Sequence, residues 1–213
     1  MTPAALLALA ALAYAAYHAR RPLGWEQPIV DAVRNLPFPT REFWIAMFEP
    51  VPFALTTTAL ACAAAAKSRL RLAVSGYLSC LVAVVLGELV LKPLVHRIHV
   101  EPMGRSHHLV RLHGYMFPSA HTTAAAAFAT FGILLVGRRS RWVPLLLALP
   151  VVVAVATMSK QLHYPADVLA GMLLGPLVVV HGVAFARRLE RKPATPELPT
   201  TLDDEPLVGA PAA

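Results

Sequence analysis

Charge and cysteine are both scarce in this sequence. Only 15% of residues are Asp, Glu, Lys or Arg, and they come in short clusters between apolar runs. That pattern excludes an ordinary soluble globule, whose apolar share stays at or below about half. The two cysteines, Cys62 and Cys80, each lie inside an apolar run. They read as buried thiols, which excludes a disulfide framework and a Cys-type metal site. No internal repeat is visible. The net charge of +7 does not point to nucleic acid, because no folded basic face is available to bind it; Lys and Arg sit in short loops, where they set topology.

What is abundant is apolar. Hydrophobic residues make up 57% of the 213, and the mean hydropathy is +0.58. Such a chain reads as an all-α, multi-span membrane protein. Runs of roughly 17–25 apolar residues fall at 3–18, 43–66, 72–91, 119–136, 142–158 and 166–186, which predicts six transmembrane helices in a bundle. No Lys or Arg precedes the first run, so it reads as a retained helix rather than a cleaved signal peptide. Residues 22–42, with Trp25, Ile29, Val30, Val33 and Leu36, are expected to lie along the outer surface as an amphipathic helix.

Three connections are short and basic: "KSRLR" (67–71), "GRRSR" (137–141) and "RRLERK" (187–192). They follow the second, fourth and sixth runs, so parity puts them on one side, and the positive-inside rule makes that side cytoplasmic. Arg20 and Arg21 fall opposite and are outvoted. After Lys192 the chain is proline-rich, acidic and without apolar periodicity, as a disordered cytoplasmic tail is. By the same parity Lys92, Ser119, His121, His163 and Asp167 share the other face, whichever way the protein is inserted.

Each of these polar residues sits at an expected helix tip. Glu88 precedes Lys92 by four residues, within pairing reach on one helix face. In "FPSAHT" (117–122) Pro118 suits a first helical turn, Ser119 is a good cap, and the unused N–H groups form an anion site. Taken alone, that stretch reads as a plain cap and an interfacial histidine. In "SKQLHYPADVLAG" (159–171) His163 and Asp167 lie one helical turn apart, so the carboxylate can hold the imidazole in one tautomer and support its charge. Pro165 again suits a helix start. Two helix N-termini, two histidines, a carboxylate and a lysine on one face make a phosphate site with a nucleophile and an acid.

In this order, "KPLVHRIHV", "PSAH" and "HYPADVLAG" resemble the three signature blocks of the type 2 phosphatidic acid phosphatase superfamily, K-x6-R-P, P-S-G-H and S-R-x5-H-x3-D. The resemblance covers about residues 43 to 186 and is most specific in the third block. It implies an integral membrane lipid phosphatase that needs no metal or cofactor and whose blocks face outward. His163 resembles the nucleophile that becomes a phosphohistidine, Asp167 its orienting partner, and His121 the general acid. Lys92 resembles a phosphate ligand, and Ser119 with the amide of Ala120 resembles the rest of the cradle. The implied substrate is a lipid phosphate monoester or diphosphate, of polyprenyl or phosphatidate type, with its tail among membrane lipids of the cell envelope.

The pattern departs from the family at its arginines. Counted from Lys92, the first-block Arg-Pro becomes His99 and Val100, leaving Arg97 or His99 as the substitute. The second-block glycine is Ala120. The third-block Ser-Arg falls on Ala156 and Thr157, with Lys160 expected to supply the missing charge as a point charge in place of a fork. The histidines His96, His99, His107, His108, His113 and His121 crowd one stretch, which with Arg105 and Arg111 reads as an electropositive rim over the site rather than a metal set. On this reading the chain divides into a first transmembrane helix (1–21), an extracytoplasmic amphipathic segment (22–42), a five-helix catalytic core (43–192) and the tail (193–213). Two other readings stay open: a phospho-group transferase on the same scaffold, and a non-catalytic lipid-binding protein whose site has decayed.

Overall fold

Inside an apolar run every peptide group must find its partner within its own segment, which favours helix over any open strand. A computed structural model describes residues 3–18, 22–98 and 115–189. Among these residues the fold is all-helical, apart from one isolated bridge between Ile98 and Tyr115. The helices are α1 (Pro3–His18), α2 (Glu26–Arg34), α3 (Arg41–Ala46), α4 (Pro50–Ala66), α5 (Leu70–Leu86), α6 (Lys92–Val95), α7 (Ala120–Val136), α8 (Val143–Ser159) and α9 (Pro165–Leu189). A π-helical turn, Gly87–Leu91, joins α5 to α6. Two continuous helices, Leu70–Val95 and Pro165–Leu189, are long and apolar enough to cross a membrane; α1, α4, α7 and α8 are apolar but shorter.

The expected run at 43–66 is interrupted. Glu49 takes an extended conformation (φ −64°, ψ 156°) and caps α4, which restarts at Pro50. A residue before proline is pushed out of the helical region, and a proline at the first turn loses no helical hydrogen bond. The amphipathic segment also differs from its expected pose. Within it Val30 is buried, while Trp25, Ile29 and Leu36 are exposed. Val33 packs toward Ala154, Met158 and Val168, so α2 covers the tips of α8 and α9 instead of only lying on a surface.

Helix α7 is the centre of the bundle and packs against α9, α8, α5 and α4. Its first half, from Thr122 to Ala127, is buried throughout. The approach of α9 depends on glycine. A Cβ at Gly171 would lie 2.8 Å from the Ser119 carbonyl oxygen, and one at Gly175 would lie 2.6 Å from both the Ala127 nitrogen and the Thr123 carbonyl oxygen. Small residues of this kind let apolar helices meet backbone to backbone. Residue order along the contact makes α7 and α9 parallel, so their N-termini sit side by side. At the opposite end Arg69 donates to the Leu135 carbonyl (2.7 Å), closing the first short basic connection onto α7.

Several expected features lie outside the described residues: Arg20 and Arg21, the stretch containing His99, Arg105, His107, His108, Arg111 and His113, and the tail at 193–213.

Candidate active site

The tip of α7 is built by its cap. Ser119 is fully buried, and its hydroxyl accepts from the Thr122 amide (3.4 Å) and lies 3.1 Å from the Thr122 hydroxyl. Pro118 precedes this cap instead of occupying the first turn, and the helix proper begins at Ala120. A helix start leaves its first amides without intrahelical partners, and in α7 that turn begins at Ala120. His121 Nε2 lies 3.3 Å from Glu49 Oε1, from the cap of α4.

The tip of α9 stands beside it, joined by the Ser119 amide donating to the Asp167 carbonyl (3.0 Å). The connection from α8 turns through Gln161, which has positive φ (56°), and delivers His163 and Tyr164 to the mouth of α9. Pro165 starts that helix as expected. The His163 Nδ1 edge faces Asp167, whose Oδ2 is 3.8 Å away. That is an ion-pair separation, too long for a hydrogen bond, and Nδ1 has no hydrogen-bond partner among the described residues. The expected tautomer-fixing bond is therefore stretched. The reason is local: Oδ2 already accepts from the Tyr164 amide (2.8 Å), and Oδ1 accepts from Arg97 Nη1 (2.7 Å).

Arg97 was one of the candidates to replace the missing arginine. The structure instead buries it between two carboxylates: Nη1 bridges Asp167 and Glu26 Oε1 (3.1 Å), and Nη2 donates to Glu26 Oε2. Its guanidinium also stacks over the Tyr164 ring at 5.1 Å. Glu26 accepts in addition from the Ala166 amide (3.0 Å), in the first turn of α9. An anion does occupy this second helix N-terminus, but it is the protein's own carboxylate.

Lys92 opens α6 directly after the π-helical turn, a distortion that often marks functional positions. As expected it pairs with Glu88 (2.5 Å), and its side chain is nearly buried. An ammonium has three donors, so one carboxylate does not exhaust it. Lys160 caps α8 and pairs with Glu42 of α3, not with a group at the α7 or α9 tip. Ala156 and Thr157, at the positions of the third-block Ser-Arg, are buried within α8.

Burial pushes the His163 imidazole below its ordinary value; Asp167 works against this, while the positive charges of Lys92 and His121 add to it. Loss of solvation disfavours the charged ring, so His163 is neutral near pH 7. The tertiary structure thus gathers His163, Asp167, Lys92, His121, Ser119 and Ala120 at one end of the bundle. It gives Arg97 and Lys160 carboxylate partners, and His99 lies outside the described residues.

Two carboxylates escaped the sequence reading. Glu49 carried a signal, as the one charged residue inside the run at 43–66; a carboxylate in an apolar stretch is expensive and marks function. Glu26 carried none, because in an amphipathic segment an acid reads as the solvated face.

A sequence model of the PAP2 superfamily matches residues 73–191, more than half of the chain. No curated protein matches it. Among solved structures, the chain is similar to the first transmembrane PAP2 type phosphatidylglycerolphosphate phosphatase from Bacillus subtilis. That likeness has a TM-score of 0.46 at 20% identity, over 89% of this chain and 90% of that one.

Proposed function

The chain belongs to the PAP2 superfamily, and on that premise we propose that it is an integral membrane lipid phosphatase working at the extracytoplasmic face through a phosphohistidine. The substrate is a lipid phosphate monoester or diphosphate, of polyprenyl or phosphatidate type, whose tail stays in the bilayer. The observation that carries the reading is a buried neutral imidazole, His163, beside Asp167 at paired helix N-termini.

With His163 Nδ1 facing Asp167, Nε2 on the far edge of the ring is the attacking atom. It bonds to phosphorus while the bond from phosphorus to the lipid oxygen breaks. Asp167 stabilises the positive charge that the ring acquires. His121, held by Glu49, gives its proton to the leaving oxygen and then takes one from the water that cleaves the phosphohistidine. Lys92 and the α7 amides around Ala120 balance charge on the equatorial oxygens, which is most of what phosphoryl transfer asks of a protein. Ser119 serves as the cap that aims those amides.

The test is inorganic phosphate release from diacylglycerol phosphate and from polyprenyl phosphates by purified protein in detergent, with chelator present. Release that disappears in His163→Ala supports the reading. Consumption only with an added alcohol acceptor converts it to a transferase. Saturable lipid binding without turnover of any substrate overturns it.

A further inference from the structure

We propose that Glu26 and Arg97 are positioning residues for the nucleophile: a buried latch through which the segment before the bundle sets the place and charge of Asp167. The inference rests on His163 being the nucleophile, and it removes Arg97 from direct phosphate binding.

Each oxygen of Glu26 accepts two hydrogen bonds. Glu26 Oε1 accepts from Arg97 Nη1 (3.1 Å) and the Ala166 amide (3.0 Å). Glu26 Oε2 accepts from Arg97 Nη2 and the Leu23 amide (2.6 Å). Arg97 Nη1 is shared with Asp167 Oδ1 (2.7 Å). Glu26 and Asp167 have no measurable exposure, and Arg97 has 2%. Burying three charges carries a large desolvation penalty that apolar side chains would avoid. Here the third charge belongs to the carboxylate facing His163, so the arrangement acts on the reacting ring.

Its charges sum to minus one: two carboxylates against one guanidinium. The bidentate Glu26 engages both terminal nitrogens and shares one of them, Nη1, with Asp167. Without Glu26 the same guanidinium would neutralise Asp167 more fully and draw it from His163. The charged groups acting on His163 are Asp167 from α9, Lys92 from α6 and His121 from α7. The Glu26–Arg97 pair reaches it through Asp167. Because α2 packs against both α8 and α9, the latch also ties the covering segment to the turn that carries His163.

The experiment uses full-length protein with 15N-labelled histidine in detergent, the His163 signal being identified by its loss in His163→Gln. In Glu26→Gln the His163 titration midpoint should fall by about half a pH unit or more, since a nearby negative charge is lost. The turnover number should fall about tenfold or more, as misplaced catalytic groups do. Inorganic phosphate should still bind within about twofold of wild type, read from the same imidazole signals. Glu26→Asp, which keeps the charge, should restore the midpoint. Arg97→Lys keeps the charge but not the fork, so it should lose turnover with phosphate binding unchanged; it carries the test where Glu26→Gln does not fold. An unmoved midpoint in Glu26→Gln would overturn the latch. So would phosphate binding weakened about tenfold in Arg97→Lys, the loss expected of a direct ligand. Turnover surviving in His163→Ala would instead sink the site reading, while the midpoint and phosphate titrations would still report on the latch.

Discussion

The protein holds two imidazole–carboxylate pairs at one end of its bundle, and they are not alike. The His163–Asp167 pair is almost wholly buried, and its carboxylate is shared with a guanidinium. The His121–Glu49 pair is partly open, with side-chain exposures of 15% and 29%. The first pair has its charge set by neighbours and keeps its ring neutral; the second sits where water and protons reach it. A nucleophile needs the former surroundings and a proton shuttle the latter. Environments that differ in this way are how one site assigns different roles to chemically identical groups.

The largest blow to this contrast should come from Asp167→Asn. Losing the buried carboxylate is expected to lower the turnover number by about 10³–10⁴, measured as phosphate release at saturating lipid phosphate. A drop no greater than that of Glu49→Gln would erase the distinction between the pairs. His121→Gln should cost about 10²–10⁴ on a lipid phosphate. Its effect on the initial burst of leaving-group release should shrink markedly on p-nitrophenyl phosphate, whose leaving group needs no proton; equal burst losses on both substrates would deny His121 its acid role. Glu49→Gln, acting through His121, should cost about tenfold at most, below the range for removing the acid itself.

The pH profile sharpens the same comparison. Burial depresses the His163 value, and the protonated ring cannot attack. The profile should therefore show an acid limb that falls as pH drops through that value, at a midpoint below the ordinary histidine value of about 6.5. That acid limb should persist in Glu49→Gln. A limb above the ordinary value would contradict a buried neutral nucleophile. The smallest expected effect is on stability. Gly175→Val places atoms against α7 backbone and should cost about 1–3 kcal/mol by overpacking, read from thermal unfolding in detergent. Gly24→Val, with nothing within 4 Å of its Cβ, should leave the melting temperature unchanged.

Much of the architecture was legible from local pattern. The run at 3–18 is α1 residue for residue, and the runs at 119–136, 142–158 and 166–186 match α7, α8 and α9 closely. Where the reading missed, the cause was local chemistry overriding hydropathy. Glu49 and Pro50 cut the run at 43–66, and the run at 72–91 continued through a π-helical turn into α6. The placement of His163, Asp167, Ser119 and Lys92 at one end of the bundle was legible because each lies a fixed distance from a helix tip. The carboxylate partners of Arg97 were not legible, because spacing along one block says nothing of what approaches from 71 residues away.

Composition, run length and the order of polar residues at helix ends determined by themselves that this chain is helical, apolar and polarised toward one end. These properties are local, since a backbone in an apolar run must pair with itself and a cap acts only on its own first turn. Which carboxylate meets which cation was decided by tertiary structure alone. That choice depends on how closely α7 and α9 approach at Gly171 and Gly175, and on where α2 comes to rest above them. Burial then set an acid from the covering segment, Glu26, against the guanidinium that also holds Asp167.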